Sequence, residues 1–129
     1  MPMVADHMTR DVLTISPSST LGDAAALMAQ RTVGAVLVVE GESIAAIFTE
    51  RDVMKAVAAG CDGSAPIVDW MTPHPDTIEP SDTTDHAASL MIHGGYRHLP
   101  VVGEGRIVGI VSIRDLMRVV LDDRTPRGV

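Results

Sequence analysis

Apolar residues along the chain follow two spacings in turn, the two-residue spacing typical of strands and the three-to-four-residue spacing typical of helices. A short β-prone run stops at a proline, a helical segment follows, two strands meet at a glycine turn, and a second helix closes the series. The series occurs twice, with first strands at 12–15 and 76–78, hairpins at 35–40 with 43–48 and at 98–102 with 106–111, and closing helices that begin at Thr49 and Ser112. The pattern predicts two β-α-β-β-α units, each preceded by a short helical lead-in that ends at Met8 or Met71.

Each predicted helix has one apolar stripe that we expect to be buried. The stripes are Leu21, Ala25 and Met28; Val53 and Val57; Thr84, Ala88 and Met91; and Leu116 and Val120. The first helix of each unit is expected to be capped by Ser18–Ser19 or by Ser81–Asp82, because their side-chain oxygens can accept hydrogen bonds from the free amides of a helix start. Both units are therefore predicted to be small sheets covered by short helices.

The two units are copies of one sequence. A shift of 63 residues, without a gap, aligns Met8-Thr9 with Met71-Thr72, Thr14-Ile15 with Thr77-Ile78, and Arg51-Asp52 with Arg114-Asp115. Such a repeat marks a unit that buries its apolar face by stacking on its copy, so we expect a cleft between the copies. We predict copies at 4–60 and 67–122, followed by a tail at 123–129.

Composition and charge narrow the classes of partner. The 129 residues are 46% hydrophobic but only 2% aromatic, which predicts a core of aliphatic side chains. The net charge of −7 argues against a nucleic acid partner, because binding phosphates requires clustered Lys and Arg. No apolar run is long enough to span a bilayer, and residues 1–10 contain no apolar signal core, so we expect a cytoplasmic protein and no membrane partner. Cys61, the one cysteine, is interpreted as an incidental surface thiol.

Short motifs recur at the same places in both copies. Each copy has Met-Thr in its lead-in, Thr-Ile-x-Pro before its first helix, and a closing helix that starts with Thr49-Glu50-Arg51-Asp52 or Ser112-Ile113-Arg114-Asp115. The second copy also contains Arg97-His98-Leu99-Pro100-Val101-Val102 and, further on, Gly109-Ile110-Val111-Ser112. On these motifs nearly the whole chain resembles a pair of CBS domains, the Bateman module. The resemblance implies an α/β (α+β) fold of two β-α-β-β-α repeats, related by pseudo-twofold symmetry and packed sheet to sheet.

The Thr49-x-x-Asp52 and Ser112-x-x-Asp115 pairs have two physical interpretations. A hydroxyl followed three residues later by a carboxylate is close to a capping box, in which both side chains satisfy free helix amides. Alternatively, the same helix start offers amides and a hydroxyl to a phosphate, and its carboxylate can accept both hydrogens of a ribose cis-diol. A neighbouring arginine, Arg51 or Arg114, adds a charge partner for phosphate.

The resemblance implies an adenosine-containing ligand in the cleft, such as AMP, ADP, ATP or S-adenosylmethionine. In similar modules the ribose is bound by one copy, and the backbone around a first-strand threonine of the other copy reads the edge of the base. One site would therefore combine Ser112, Arg114 and Asp115 with Thr14, and the other would combine Thr49, Arg51 and Asp52 with Thr77.

The site at Ser112 and Asp115 is predicted to be the stronger one. Gly109 precedes this helix start where the first copy has Ala46, and glycine allows close approach of a backbone. Arg97 and His98, which could reach phosphates, stand where the first copy has Gly34-Ala35. Alternatively, Arg97 and His98 are ordinary solvent-exposed side chains at the start of a strand, with no role in binding.

Neither catalysis nor a metal site is predicted. His86, His93 and His98 lack the spacing of metal ligands, and the sequence shows no nucleophile with a placed base. We therefore interpret the chain as a non-enzymatic regulatory module that signals through a conformational or dimer change to another copy or to an unidentified effector protein.

A homodimer is expected, because two-copy modules of this family commonly pair. Exposed apolar helix faces are the candidate surface, formed by Val53, Met54 and Val57 in the first copy and by Leu116, Val119 and Val120 in the second. The alternative function is a ligand-free interaction module in which both Thr/Ser-x-x-Asp motifs are only helix caps.

Overall fold

The structure, a computed structural model, describes residues 1–124 and the side chains as far as Asp122. Residues 125–129 of the predicted tail lie outside the described part of the chain. The elements in chain order are a 3-10 helix at Val4–Asp6, β1 (Thr14–Ile15), α1 (Leu21–Arg31), β2 (Ala35–Glu40), β3 (Ser43–Thr49), α2 (Glu50–Ala58), a 3-10 helix at Ile67–Asp69, β4 (Thr72–Pro73), α3 (Thr84–Gly94), β5 (His98–Gly103), β6 (Arg106–Ser112) and α4 (Ile113–Arg124). This is a mixed α/β fold. The predicted strand-helix order is present in the first copy and, apart from the strand predicted at 76–78, also in the second.

The chain folds as two compact units. One unit is continuous and comprises Val12–Pro75, whereas the other combines Met1–Asp11 with the chain from Asp76 onward. Each lead-in therefore belongs to the unit that is built mainly from the other copy. We refer to Val12–Pro75 as the continuous unit and to its counterpart as the composite unit.

The continuous unit contains a four-stranded sheet in the order β1-β2-β3-β4. β1 runs parallel to β2, with Thr14 opposite Leu37, and the β2-β3 and β3-β4 pairs are antiparallel. The lead-in of the second copy completes this unit: Ile67 is fully buried in its core, and the Ile67 amide donates to the Ser19 carbonyl at 3.0 Å. Its buried core residues are Ile15, Leu21, Ala24, Met28, Val36, Val38, Ala46, Phe48, Ala56 and Ile67.

The composite unit is built on the antiparallel pair β5-β6. The predicted strand 76–78 is reduced to one parallel bridge between Ile78 and Val101. The lead-in of the first copy pairs with β6, because Thr9 and Ile110 exchange two main-chain hydrogen bonds of 2.8 and 2.9 Å. Its buried core residues are Val4, Ile78, Ala87, Met91, Leu99, Val101, Val111 and Leu116.

The helix caps differ in position from the prediction. α1 and α3 are capped by Thr20 and Thr83, whose hydroxyl oxygens accept from the amides of Asp23 and His86, each at 3.1 Å. The earlier serines do not cap the first helix because Ser16 to Ser19 forms a turn, closed by the bond from the Ser19 amide to the Ser16 carbonyl.

Two of the predicted buried stripes are confirmed only in part. Leu116 is buried and Val53 packs partly buried against the core, but Val57 and Val120 are 65% and 43% exposed. Asp52 and Ala56 are buried on α2, and Val119 is buried on α4. The aspartates at the helix starts turn inward, so the buried face is rotated by one residue. As a result Leu116 and Val119 are buried within their unit and cannot form a dimer surface.

Candidate functional site

At the start of α2, Thr49 and Asp52 form a complete capping box. The Thr49 amide donates to Asp52 Oδ2 at 2.9 Å, and the Asp52 amide donates to Thr49 Oγ1 at 3.4 Å. The Thr49 hydroxyl also donates to Oδ2 at 3.3 Å. These bonds form because Thr49 ends β3 in an extended conformation, so the Asp52 amide in the first turn of α2 has no carbonyl acceptor within the helix.

The start of α4 repeats this geometry with shorter bonds. Asp115 Oδ2 accepts from the Ser112 amide at 2.8 Å and from the Ser112 hydroxyl at 3.0 Å, and the Asp115 amide donates to Ser112 Oγ at 3.2 Å. The other carboxylate oxygen, Oδ1, lies 3.6 Å from Arg118 Nη1. In both boxes the cap uses Oδ2, which leaves Oδ1 as the acceptor that a ligand could engage.

A third capping box, at the start of α1, has the same hydrogen bonds but an exposed carboxylate. At the start of α1, Thr20 and Asp23 exchange the same two bonds, each at 3.1 Å, yet Asp23 is exposed. Asp52 and Asp115 are only 6% and 8% exposed. A cap of this geometry therefore does not require a buried carboxylate. Burial of Asp52 and Asp115 would cost free energy without compensation, and the hydrogen bonds that each accepts from its cap residue provide that compensation.

The structure brings Arg97 and His98 to the Ser112 helix start. His98 is opposite Ser112 in the β5-β6 register, and the Ile113 amide donates to the Arg97 carbonyl at 2.8 Å. His98 is half-buried, whereas Arg97 and Arg114 are exposed.

In the first copy, Ala35 takes the place of His98 opposite Thr49, and the Glu50 amide donates to the Gly34 carbonyl at 3.0 Å. Arg51 is exposed, as is its counterpart in the second copy. Basic side chains at the start of the neighbouring strand are therefore placed beside one helix start and not beside the other.

Gly109 has a packing role that the sequence did not indicate. A Cβ atom at this position would lie 2.7 Å from Met8 Sδ and 2.9 Å from the Thr9 carbonyl oxygen, both in the lead-in of the composite unit. The close approach that glycine permits here is that of the protein's own chain. The counterpart, Ala46, is fully buried and pairs with Pro73 of β4.

The two predicted base-reading threonines are exposed and lie in different units. Thr14 belongs to the continuous unit, as do Thr49, Arg51 and Asp52, whereas Thr77 belongs to the composite unit with Ser112 and Asp115. The predicted groupings, Thr14 with Asp115 and Thr77 with Asp52, each join residues of both units and stay predictions.

Tyr96 and Asp76 form a contact that the sequence analysis missed. The Tyr96 hydroxyl donates to Asp76 Oδ2 at 2.6 Å. Partial burial, together with the hydrogen bond and negative charge of Asp76, raises the pKa of Tyr96 to about 12. The sequence could have indicated this contact through a difference between the copies, because Val33 and Leu13 occupy the equivalent positions in the first copy.

As far as Asp122 the side chains show no cluster suited to a metal. No group of three or more His, Cys, Asp or Glu residues among these described side chains is close enough to hold an ion. The helices in this part of the chain are also too short or too polar to cross a membrane.

Comparison with known proteins identifies the repeat. The family model of the CBS domain matches residues 4–59 and 67–122. The CBS domain-containing protein YhcV of Bacillus subtilis is 38% identical over 117 residues, which cover 90% of this chain and 84% of that protein.

Solved structures agree with this assignment. A CBS-domain containing protein from Agrobacterium tumefaciens is 35% identical, with a TM-score of 0.86 and coverage of 92% of this chain and 98% of that one. A CBS domain protein from Pyrobaculum aerophilum, complexed with AMP, is 28% identical, with a TM-score of 0.85 and coverage of 94% and 96%. Both copies of the repeat are matched, so the chain belongs to the CBS domain family and contains two CBS domains.

Proposed function

We propose that this protein is a non-catalytic regulatory module that binds an adenosine-containing nucleotide. The main support is the buried carboxylate at each closing helix start, Asp52 and Asp115, which has one oxygen outside the cap. The relative from Pyrobaculum aerophilum, complexed with AMP, supports the same ligand class. AMP, ADP, ATP and S-adenosylmethionine are the candidate ligands.

The chemistry of the Ser112 helix start fits a ribose joined to phosphate. Oδ1 of Asp115 accepts from ribose hydroxyls, while Oδ2 stays bonded to Ser112. Arg97 and Arg114 supply positive charge for phosphate from the strand and from the first turn of α4. The Asp115 carboxylate is held rigid by its cap, so little conformational entropy is lost on binding.

We assign the higher affinity to this site and the lower affinity to the one at Thr49 and Asp52. The imidazole of His98 lies opposite Ser112, whereas Ala35, which has no polar side chain, lies opposite Thr49. Thr14 is assigned to the base edge at the stronger site and Thr77 at the weaker one. These two assignments rest on the family resemblance.

The nucleotide regulates by favouring one conformation or one dimer over another, and its signal passes to a second copy or to an effector protein. The proposed homodimer uses apolar residues that are exposed on the closing helices. They are Met54 and Val57 on α2 and Met117, Val120 and Leu121 on α4.

The test is titration calorimetry with AMP on protein freed of copurified nucleotide. Asp115→Ala is expected to abolish the tighter binding event, because it removes the acceptor for the ribose hydroxyls. Asp52→Ala is expected to abolish the weaker event alone. Asp23→Ala is the matched control, since it deletes a capping carboxylate of the same geometry outside both sites.

The ligand-free interaction module remains the second candidate, favoured by the complete capping boxes at both helix starts. In that case Asp115→Ala and Asp23→Ala would each cost about 1 kcal/mol of stability. No nucleotide would then raise the melting temperature of any variant, which would overturn the proposed function.

A further inference from the structure

The two copies anchor the start of their first strand in different ways. In the first copy the Leu37 amide donates to the Leu13 carbonyl at 3.0 Å, which fixes the residue that precedes Thr14. The residues at the equivalent places in the second copy are Pro100 and Asp76. Because proline has no amide hydrogen, Pro100 cannot anchor the carbonyl of Asp76.

The consequence is visible in the pairing of the second copy. Ile78 keeps its two main-chain bonds, donating to the Pro100 carbonyl at 3.0 Å and accepting from the Val102 amide at 2.8 Å. In the first copy, by contrast, Thr14 is itself paired with Leu37. Thr77, the counterpart of Thr14, precedes the only strand bridge that this segment makes in the described residues.

A side-chain bond is present where the main-chain bond is lost. The Tyr96 hydroxyl donates to the carboxylate of Asp76 at 2.6 Å, directly before Thr77. The ring of Tyr96 packs against Gly94, where a Cβ atom would collide with it. Gly95 ends α3 with a φ of 72°, a left-handed conformation that glycine adopts without strain.

Three consecutive positions of the second copy therefore serve one contact. Gly94 leaves space for the ring, Gly95 turns the chain, and Tyr96 reaches Asp76. The first copy has Arg31, Thr32 and Val33 at these places, and its Leu13 has no side-chain acceptor. This contact accompanies the proline and is confined to the copy that contains it.

We infer that Tyr96 is a positioning residue for nucleotide binding, which holds the backbone of Thr77 in place through Asp76. The inference rests on the proposed function, in which the backbone around Thr77 reads the base edge at the Asp52 site. Tyr96 is thus assigned to recognition of the base, not of the ribose or the phosphate.

The test uses the Asp115→Ala background, so that the measured AMP binding comes from the Asp52 site alone. Tyr96→Phe removes only the hydroxyl and is expected to weaken AMP binding about three- to tenfold, the effect of one hydrogen bond to a charged group at a partly exposed position. Binding of ribose 5-phosphate, which has no base, is expected to stay unchanged. Pro100→Ala restores an amide donor, so adding it to Tyr96→Phe is expected to recover AMP binding.

Several outcomes would overturn the inference. Equal losses for AMP and ribose 5-phosphate would show a general structural effect, and an unchanged AMP affinity would show that the contact does not position the base. Failure of the Pro100→Ala rescue would also contradict it. Adding Asp52→Ala to the Asp115→Ala background separates the two proposals: if that double variant still binds AMP, the proposed Asp52 site is itself wrong.

Discussion

Asp52 and Asp115 each use one of their two carboxylate oxygens in a helix cap. One oxygen closes a helix cap, and in Asp115 the other lies 3.6 Å from Arg118 Nη1. The Arg118 side chain is mostly exposed, so solvent screens this ion pair, which contributes less than about 1 kcal/mol. In the proposed site, a ribose hydroxyl therefore displaces Arg118 at small cost.

The sequence predicted these residues from the spacing between hydroxyl and carboxylate. It could not predict that Asp23 makes the same cap in an exposed position, because burial depends on tertiary packing and not on spacing. It also assigned Gly109 to ligand approach, whereas the neighbour of Gly109 is Met8, about a hundred positions earlier in the chain. A contact at such a separation has no local signal.

Thr32 provides a stability prediction at the scale of one residue. It ends α1 with a φ of 55°, a left-handed conformation that is strained for a β-branched side chain, and its counterpart Gly95 adopts a φ of 72°. We expect Thr32→Gly to stabilise the protein by about 1 kcal/mol and the matched change Gly95→Thr to destabilise it by at least as much. Urea unfolding measures both, and a loss of stability in Thr32→Gly would contradict the argument.

Secondary-structure elements could be predicted where the local sequence pattern determines them. They could not be predicted where they depend on a hydrogen-bond donor in a distant strand. Hairpins β2-β3 and β5-β6 follow the predicted ranges within a residue, because alternation and glycine turns are local signals. The prediction of a strand at 76–78 is wrong, because this segment forms only one bridge. Its pairing partner is β5, where Pro100 has no amide hydrogen to donate. That effect becomes apparent only once the pairing partner is known.

The Tyr96 contact at the end of α3 predicts alkaline sensitivity. Folding raises the pKa of Tyr96 to about 12, so the folded protein keeps the phenol proton to a higher pH than the unfolded chain, where the pKa is about 10. The resulting stabilisation is complete below pH 10 and is lost as the pH rises from 10 towards 12. The midpoint of urea unfolding should fall over this range less in Tyr96→Phe than in the unmodified protein.

A direct titration provides the control. The chain has one tyrosine, so the absorbance of tyrosinate near 295 nm belongs to Tyr96 alone. Asp76→Ala is expected to lower the midpoint from about 12 towards the ordinary value. A midpoint that is the same in both proteins would contradict the hydrogen bond.

At the scale of the whole molecule, the two sequence repeats do not have the same boundaries as the two compact units of the structure. Each lead-in packs with the other copy, where Val4 and Ile67 are fully buried in the respective cores. The repeat predicted that neither copy is sufficient alone, but it could not show that the lead-ins are exchanged. The 63-residue register is the same whether a lead-in packs with its own copy or with the other one.

This exchange predicts which fragment folds. Residues 12–75 contain the whole continuous unit, whereas residues 1–60 lack Ile67 and β4 and retain a lead-in without its partner strand. We expect a cooperative thermal transition by circular dichroism for 12–75 and none for 1–60, although the fragments are similar in length. The opposite result would show that the lead-ins contribute little to their units.

The same exchange sets an order of events on the ribosome. Residues 1–11 are synthesised well before the groups that bind them, the carbonyls of Pro80 and Asp82 and the strand residue Ile110. The continuous unit has all of its own contacts once Pro75 has left the exit tunnel. A nascent chain can therefore complete the continuous unit while residues 1–11 still lack their partners, so these residues fold after a unit that is synthesised later.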